Sequence, residues 1–229
     1  MKRLISFILV CITLFAYPMF NFIAINKSTP NESDGVSDGI AALELYGSVD
    51  VADAEKAVKK SAEENAEMYL ELLPFARECG VKIATENMWD WDYENDHAVP
   101  SACATPEDFN AHLDAVNDDF FVACLDIGHA EMKGLNTSSV EMIKALGPRL
   151  KALHIHDNDK WHDSHQIPFS MDVNFEEIVR ALKDINYDGY FTLETVPYMK
   201  DYTAENAIEG VKNLARSAKK LADMFESLK

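Results

Sequence analysis

Apolar and polar positions alternate in blocks along this chain. From residue 81 onward come short apolar, often β-branched runs: VKIATEN at 81–87, FFVACLDIGH at 120–129, LKALHIHD at 150–157 and YFTLET at 190–195. Runs of this length between polar turn residues are the pattern of buried strands. The segments between them have helical period. Residues 53–79 set Val58, Ala62, Tyr69, Leu73 and Ala76 on one face among Glu and Lys, and Gly80 stops the helix. Thr105-Pro106-Glu107-Asp108 is a helix start, with Thr as N-cap and Pro at the first helical position, and this helix ends near Asn117. Thr137 or Ser138 caps a helix through Leu146, closed by Gly147-Pro148. Asn174 with Glu177 forms a capping-box-like start for a helix over 175–185. Tyr187-Asp188-Gly189 turns into the strand at 190–194, and an amphipathic helix over 204–228 finishes the chain. Residues 87–104, holding Trp89, Trp91, Tyr93 and His97, read as a loop.

Strands separated by single helices must run parallel, so their C-terminal ends share one rim. Here those ends carry groups able to bind a divalent metal: Glu86, then Asp126 and His129, then His154 and His156, then Glu194. In a closed parallel arrangement Glu86, Asp126, His154 and Glu194 converge on one point. Three carboxylates and one imidazole make a hard, oxygen-rich site that suits Mn²⁺, Mg²⁺ or Co²⁺ and is also compatible with Zn²⁺. Without a cation the three negative charges repel one another. Periodicity alone does not separate His154 from His156, which share a strand face. His129 is close enough to Asp126 for a second metal or a substrate hydroxyl, and equally suited to packing. Asp163 and His165, in DSH, are further candidates, and Trp89 and Trp91 either stack on a sugar ring at the rim or pack their loop down.

Composition narrows the partners. A chain of 229 residues that is 48% hydrophobic can bury one sizeable core. Lys and Arg total 21 against 39 Asp and Glu, a net charge of −18 with no long basic run, so no nucleic-acid partner is expected. The cysteines Cys11, Cys79, Cys103 and Cys124 have no metal spacing and read as reduced thiols in a core. Positions 4–25 carry no charge after Lys2 and Arg3. They are long enough for a signal or membrane anchor, which would make the protein exported or membrane-attached. The competing reading is one helix–strand unit of the same fold, in a cytoplasmic protein. Residues 26–50 read as a linker rich in Ser, Asn, Asp and Gly, and 51–229 as the folded portion.

The motifs CLDIGH, HIHDND followed by D-x-H, and FTLET, after LLPFARECGVKIATEN, resemble the xylose-isomerase-like (β/α)8 TIM barrels. That superfamily of sugar phosphate isomerases and epimerases also contains endonuclease IV. The resemblance covers residues 53–228 and implies that Glu86, Asp126, His154 and Glu194 bind one divalent metal, with the H-x-x-D frame from His154 to Asp157 favouring His154 over His156. It implies Glu86 and Glu194 as an acid/base pair, and a small sugar or sugar phosphate contacted by His129, His156, Lys160, Asp163, His165 and Trp89. Lys160 stands where the epimerases carry an arginine. Two alternatives remain: a zinc-dependent apurinic-site endonuclease, in which Asp163 and His165 hold additional zinc, and a non-catalytic barrel. The resemblance also makes Glu86 the end of the fifth strand. The expectation is therefore an incomplete barrel, strands five to eight plus at most one or two earlier units, with exposed edges that a homo-oligomer could complete.

Overall fold

A computed structural model describes residues 51–228, with side chains from 59 onward. The expectations for the apolar segment 4–25, for Cys11 and for the linker 26–50 lie outside the described residues. The chain divides into two units, Met1–Ala54 and Glu55–Lys229, and the description that follows concerns the second.

Helix α1 (Val51–Cys79) leads into strand β1 (Ile83–Glu86), and Gly80 ends the helix at φ +67° while its amide donates to Arg77 O. After a hairpin come α2 (Pro106–Val116), β4 (Phe121–Asp126), the single turn α3 (Ile127–Ala130), α4 (Ser139–Leu146), β5 (Leu150–His154) and α5 (Phe175–Asp184). The short α6 (Val196–Met199) and the long α7 (Ala207–Ser227) follow. The hairpin strands are β2 (Trp89–Asp92) and β3 (His97–Pro100). The expected caps are made: Thr105 accepts from the Asp108 amide, Asn174 from that of Glu177, and Ser138 rather than Thr137 from that of Glu141.

β1, β4 and β5 pair parallel in that order, with Glu86 opposite Cys124 and Asp126 opposite His154. Ile155 bridges Leu193 in parallel, which adds a fourth strand position to the arc. β4 is buried along its whole length, because Phe121, Ala123 and Leu125 meet the helices on one face while Cys124 and Asp126 face the other way. α2, α4, α5 and α7 pack side by side outside the sheet, in chain order, around Phe109, Leu125, Ile143, Leu146, Leu153 and Leu182. This is the parallel βα arrangement of a TIM barrel, seen here as an arc.

Three sequence expectations are corrected. Residues 87–104 are not a plain loop: W-D-W-D pairs antiparallel with H-A-V-P, and Trp89 and Trp91 pack on a small core of Ala98, Met132 and Leu135. The expected strand at 190–194 is reduced to the bridge at Leu193, held by the bonds Ile155 N to Thr192 O and Glu194 N to Ile155 O. Among the described residues it has a neighbour on one side only, so no full ladder forms. Cys103 and Cys124 are buried as expected, whereas Cys79 is exposed. No helix among the described residues is long and apolar enough to cross a membrane.

One buried carboxylate fixes the long connection after β5. Asp157 is fully buried, and its oxygens accept from the amides of Asn158 and Val173 on one side and Ser170 and Met171 on the other. Asp157→Ala would leave these amides unsatisfied. It is expected to lower stability by about 3 kcal/mol or more, since bonds to a charged acceptor contribute about 1.5–3 kcal/mol each. Urea unfolding measures this, and a loss below about 1 kcal/mol would show that the connection holds without the clamp.

Candidate metal centre

The strand register dictates what meets at the rim. Glu86 ends β1, Asp126 ends β4, His154 ends β5, and Glu194 follows the bridge at Leu193. One ligand atom from each lies within 4.8 Å of the others. His154 Nδ1 sits at the middle, 3.0 Å from Glu86 Oε1 and 3.0 Å from Glu194 Oε2. Burial works against a charge on this imidazole, yet Cys124 and the two glutamates drive its pKa far upward. Beneath it Cys124 completes a smaller group with Glu86 and His154, and burial pushes its thiol up to about 11.

Asp126 serves two ends at once. Its Oδ1 accepts from the His129 amide at 2.8 Å as the N-cap of α3, so the D-x-x-H spacing folds as a capped turn. Its other oxygen, Oδ2, is buried with no hydrogen-bond partner among the described residues. Burial opposes its charge, but His129 and His156 hold its carboxyl well below the usual carboxylate range.

Sequence reasoning missed Asn87. Its buried amide donates to Asp126 O at 3.0 Å and accepts from Asp126 N at 2.8 Å, while its backbone carbonyl accepts from His129 Nδ1 at 2.9 Å. It therefore ties β1 to the end of β4, and with Nδ1 donating, His129 Nε2 faces Asp163 Oδ2 at 3.3 Å. Its position directly after Glu86 is the only signal in the sequence.

The remaining candidates form a second group. Ligand atoms of His129, His156, Asp163 and His165 also lie within 4.8 Å of one another. His165 Nε2 is 3.0 Å from Asp163 Oδ2, and its Nδ1 donates to the Glu194 carbonyl at 3.0 Å. His156 stacks on His165 with centroids 3.9 Å apart. Its Nε2 is 3.0 Å from Asp126 Oδ1 and 3.4 Å from Asp163 Oδ1 but not aligned for hydrogen bonding, and among the described residues both its ring nitrogens and Asp163 Oδ1 are buried without hydrogen-bond partners. Gly128 makes room for that ring, since a Cβ there would stand 1.9 Å from His156 Cε1. Burial opposes protonation of His129 and His165, but the carboxylates around them raise them to about 10 and about 9. Asp163 is held low by His129 and His165 against its own burial.

Trp89 lies beside this group, its ring 6.4 Å from that of His129. Lys160 Nζ pairs with Glu131 Oε2 at 3.0 Å. The donor set fits a divalent cation on two grounds. Three carboxylates and an imidazole converge with no Lys or Arg paired to any of them among the described residues, and Asp126 keeps a buried oxygen without a hydrogen-bond partner there.

Comparison with known proteins gives a consistent picture. The family model described as xylose isomerase-like TIM barrel matches residues 37–227. The chain is 29% identical over 137 residues to an uncharacterized protein of Methanocaldococcus jannaschii, a stretch that is 60% of this chain and 44% of that protein. It is 40% identical over 57 residues to fructoselysine 3-epimerase of Escherichia coli O157:H7, 24% of this chain and 21% of that enzyme. D-psicose 3-epimerase of Clostridium cellulolyticum H10, crystallised with D-tagatose, superposes with a TM-score of 0.50 at 21% identity over 79% of this chain and 58% of its own, a likeness of fold. The matched stretches span 44% of the Methanocaldococcus jannaschii protein and 58% of the epimerase structure.

The ionisation pattern sets a pH profile for the metal-free protein. Histidines raised to about 9 and about 10 contribute stability that is fully present below the unfolded value of about 6.5 and is lost as pH rises through the folded values. The depressed aspartates contribute stability present above about 3.9 and lost as pH falls further. The metal-free Tm should therefore be highest between about pH 4 and 6.5 and decline toward pH 10. Bound Mn²⁺ requires His154 deprotonated at its ligating nitrogen, so the added ion should raise the Tm far more at about pH 7.5 than at about pH 5.5, with Asp126→Asn removing most of the gain. A Tm indifferent to divalent ions at the higher pH and to that substitution would exclude a metal site here.

Proposed function

This chain belongs to the xylose isomerase-like TIM barrel family, and from that we propose that its rim cluster holds one divalent cation and acts on a small sugar or sugar phosphate as an isomerase or epimerase. The observation that carries the reading is the convergence of Glu86, Asp126, His154 and Glu194 from four successive strand ends within 4.8 Å. Mn²⁺, Mg²⁺ or Co²⁺ suits this donor set, and Zn²⁺ is compatible with it. When bound, the cation would polarise the substrate carbonyl as a Lewis acid and lower the pKa of the neighbouring C–H.

The protein's own groups then divide the proton work. Glu86 and Glu194 lie on either side of His154 Nδ1, so a sugar carbon held between them would be reached by one carboxylate on each face. One glutamate takes the proton beside the carbonyl and the other returns one. Return to the same carbon from the opposite face inverts it, which is epimerisation; return to the adjacent carbon, with the hydroxyl proton passing to the former carbonyl oxygen, is isomerisation. His129 Nε2 stands in reach of a substrate hydroxyl, with Asp163 orienting it and the Trp89 ring forming a wall beside it. The segment shared with fructoselysine 3-epimerase supports the epimerase outcome.

A second reading, a zinc-dependent endonuclease related to endonuclease IV, is favoured by the group His129, His156, Asp163 and His165, whose unpartnered His156 and Asp163 atoms suit additional metal. The net charge of −18 works against a phosphate-backbone substrate. Metal analysis separates the two: two or three tightly held zinc ions per chain support the nuclease, one exchangeable Mn²⁺ or Mg²⁺ the epimerase.

The direct test follows deuterium entering the α-position of ketoses by NMR in heavy water with Mn²⁺ present. Glu86→Gln and Glu194→Gln are each expected to slow exchange by at least about 100-fold, the usual contribution of a positioned acid or base. Undiminished exchange in both variants would remove the acid/base assignment. No exchange with any ketose by the native chain would leave a metal-binding protein without this activity.

A further inference from the structure

Cys124 lies against the rim centre, yet the proposed chemistry gives it no part. It sits on β4 two residues before Asp126, on the same inward face, and in the strand register it stands opposite Glu86. Thiol and carboxylate therefore leave neighbouring strands side by side. Ligand atoms of Glu86, Cys124 and His154 all lie within 4.8 Å of one another. The oxygen-rich set of Glu86, Asp126, His154 and Glu194 contains two of the same three residues. The centre thus has one shared pair, Glu86 and His154, and two ways to complete it: with the carboxylates of Asp126 and Glu194, or with a sulfur.

These completions suit different ions. Carboxylate oxygen suits Mn²⁺ and Mg²⁺, whereas thiolate suits Zn²⁺ and softer, thiophilic ions such as Cd²⁺. Zinc takes sulfur at about 2.3 Å and nitrogen or oxygen at about 2.0–2.2 Å, with four ligands in a tetrahedron. Glu86, Cys124 and His154 supply three of the four and leave the last position to water or to a rim carboxylate. Among the described residues neither Cys79 nor Cys103 belongs to such a group.

We propose that the rim centre has a second, sulfur-bearing binding mode, in which Glu86, Cys124 and His154 hold a thiophilic cation below the position that the three carboxylates and His154 give to a hard one. The proposal rests on the reading above in sharing Glu86 and His154 with it. The thiol proton is released to solvent as the metal–sulfur bond forms. The two modes exclude each other, because both draw on the same glutamate and the same imidazole. A thiophilic ion thus displaces the hard cation and removes Glu86 from the acid/base pair. It also differs from a cation on His129, His156, Asp163 and His165, a group that contains no sulfur.

The test is a Cd²⁺ titration of the full chain, after exposed thiols such as Cys79 have been blocked with N-ethylmaleimide. Cys124 is 4% exposed and escapes that reagent. An ultraviolet thiolate-to-cadmium charge-transfer band should rise to saturation at a single ion per chain. Mn²⁺ should leave Mn²⁺-loaded protein over the same range, followed by the EPR signal of the free ion. Cys124→Ser should abolish the band and lower Cd²⁺ affinity at least about tenfold more than Mn²⁺ affinity. Cys124→Ala makes the same comparison should the serine variant fail to fold. Glu86→Gln should weaken the band although the sulfur is still present. Cd²⁺ bound without the band, a band that survives Cys124→Ser, or Cd²⁺ and Mn²⁺ bound at once overturns the proposal. The band without any Mn²⁺ binding upholds the sulfur site and overturns the hard-cation reading instead.

Discussion

Like charges brought together at the end of a parallel sheet must be compensated, and much of this structure is arranged around that constraint. Glu86, Asp126 and Glu194 approach one another because β1, β4, β5 and the Leu193 bridge run in register, so the same backbone pairing that builds the core creates the repulsion. His154 Nδ1, 3.0 Å from each of the two glutamates, offsets part of it. The rest is relieved by a proton or by a cation, and either choice is coupled to folding.

Around this centre the protein uses backbone hydrogen bonds where a side-chain contact would be too loose. Asn87 clasps both backbone groups of Asp126, and Asp126 caps the turn that carries His129. Asp157 gathers four amides of the connection that also brings in Asp163 and His165. A charged rim is thereby held on fixed backbone, which keeps the unfavourable contacts from relaxing by simple movement apart.

The parts of this design that are local are legible in the sequence. Thr105, Ser138 and Asn174 sit where a capped helix must begin, and the four apolar runs end at the residues that meet at the rim. What stayed hidden depends on partners distant in the chain. W-D-W-D looks like a polar loop until H-A-V-P pairs with it across a turn. The pairing of Lys160 with Glu131, 29 positions earlier, is announced by nothing local. Nothing near Asn87 announces that it spans two strands, and the clamp at Asp157 depends on amides from 170–173 whose approach no periodicity encodes. At 190–194 the apolar composition reports burial, whereas a ladder needs pairing along its length, and here only Leu193 bridges Ile155.

That last difference gives the rim unequal walls. Glu86, Asp126 and His154 stand on laddered strands, whereas Glu194 hangs from a single bridge and from the His165 ring that donates to its carbonyl. Three sides of the centre are therefore held by ladders and the fourth by one bridge and one side-chain bond. Under the proposed metal binding, differences in ionic radius would be taken up at Glu194, whose backbone carbonyl accepts from a histidine that itself stacks on His156 over the missing side chain of Gly128.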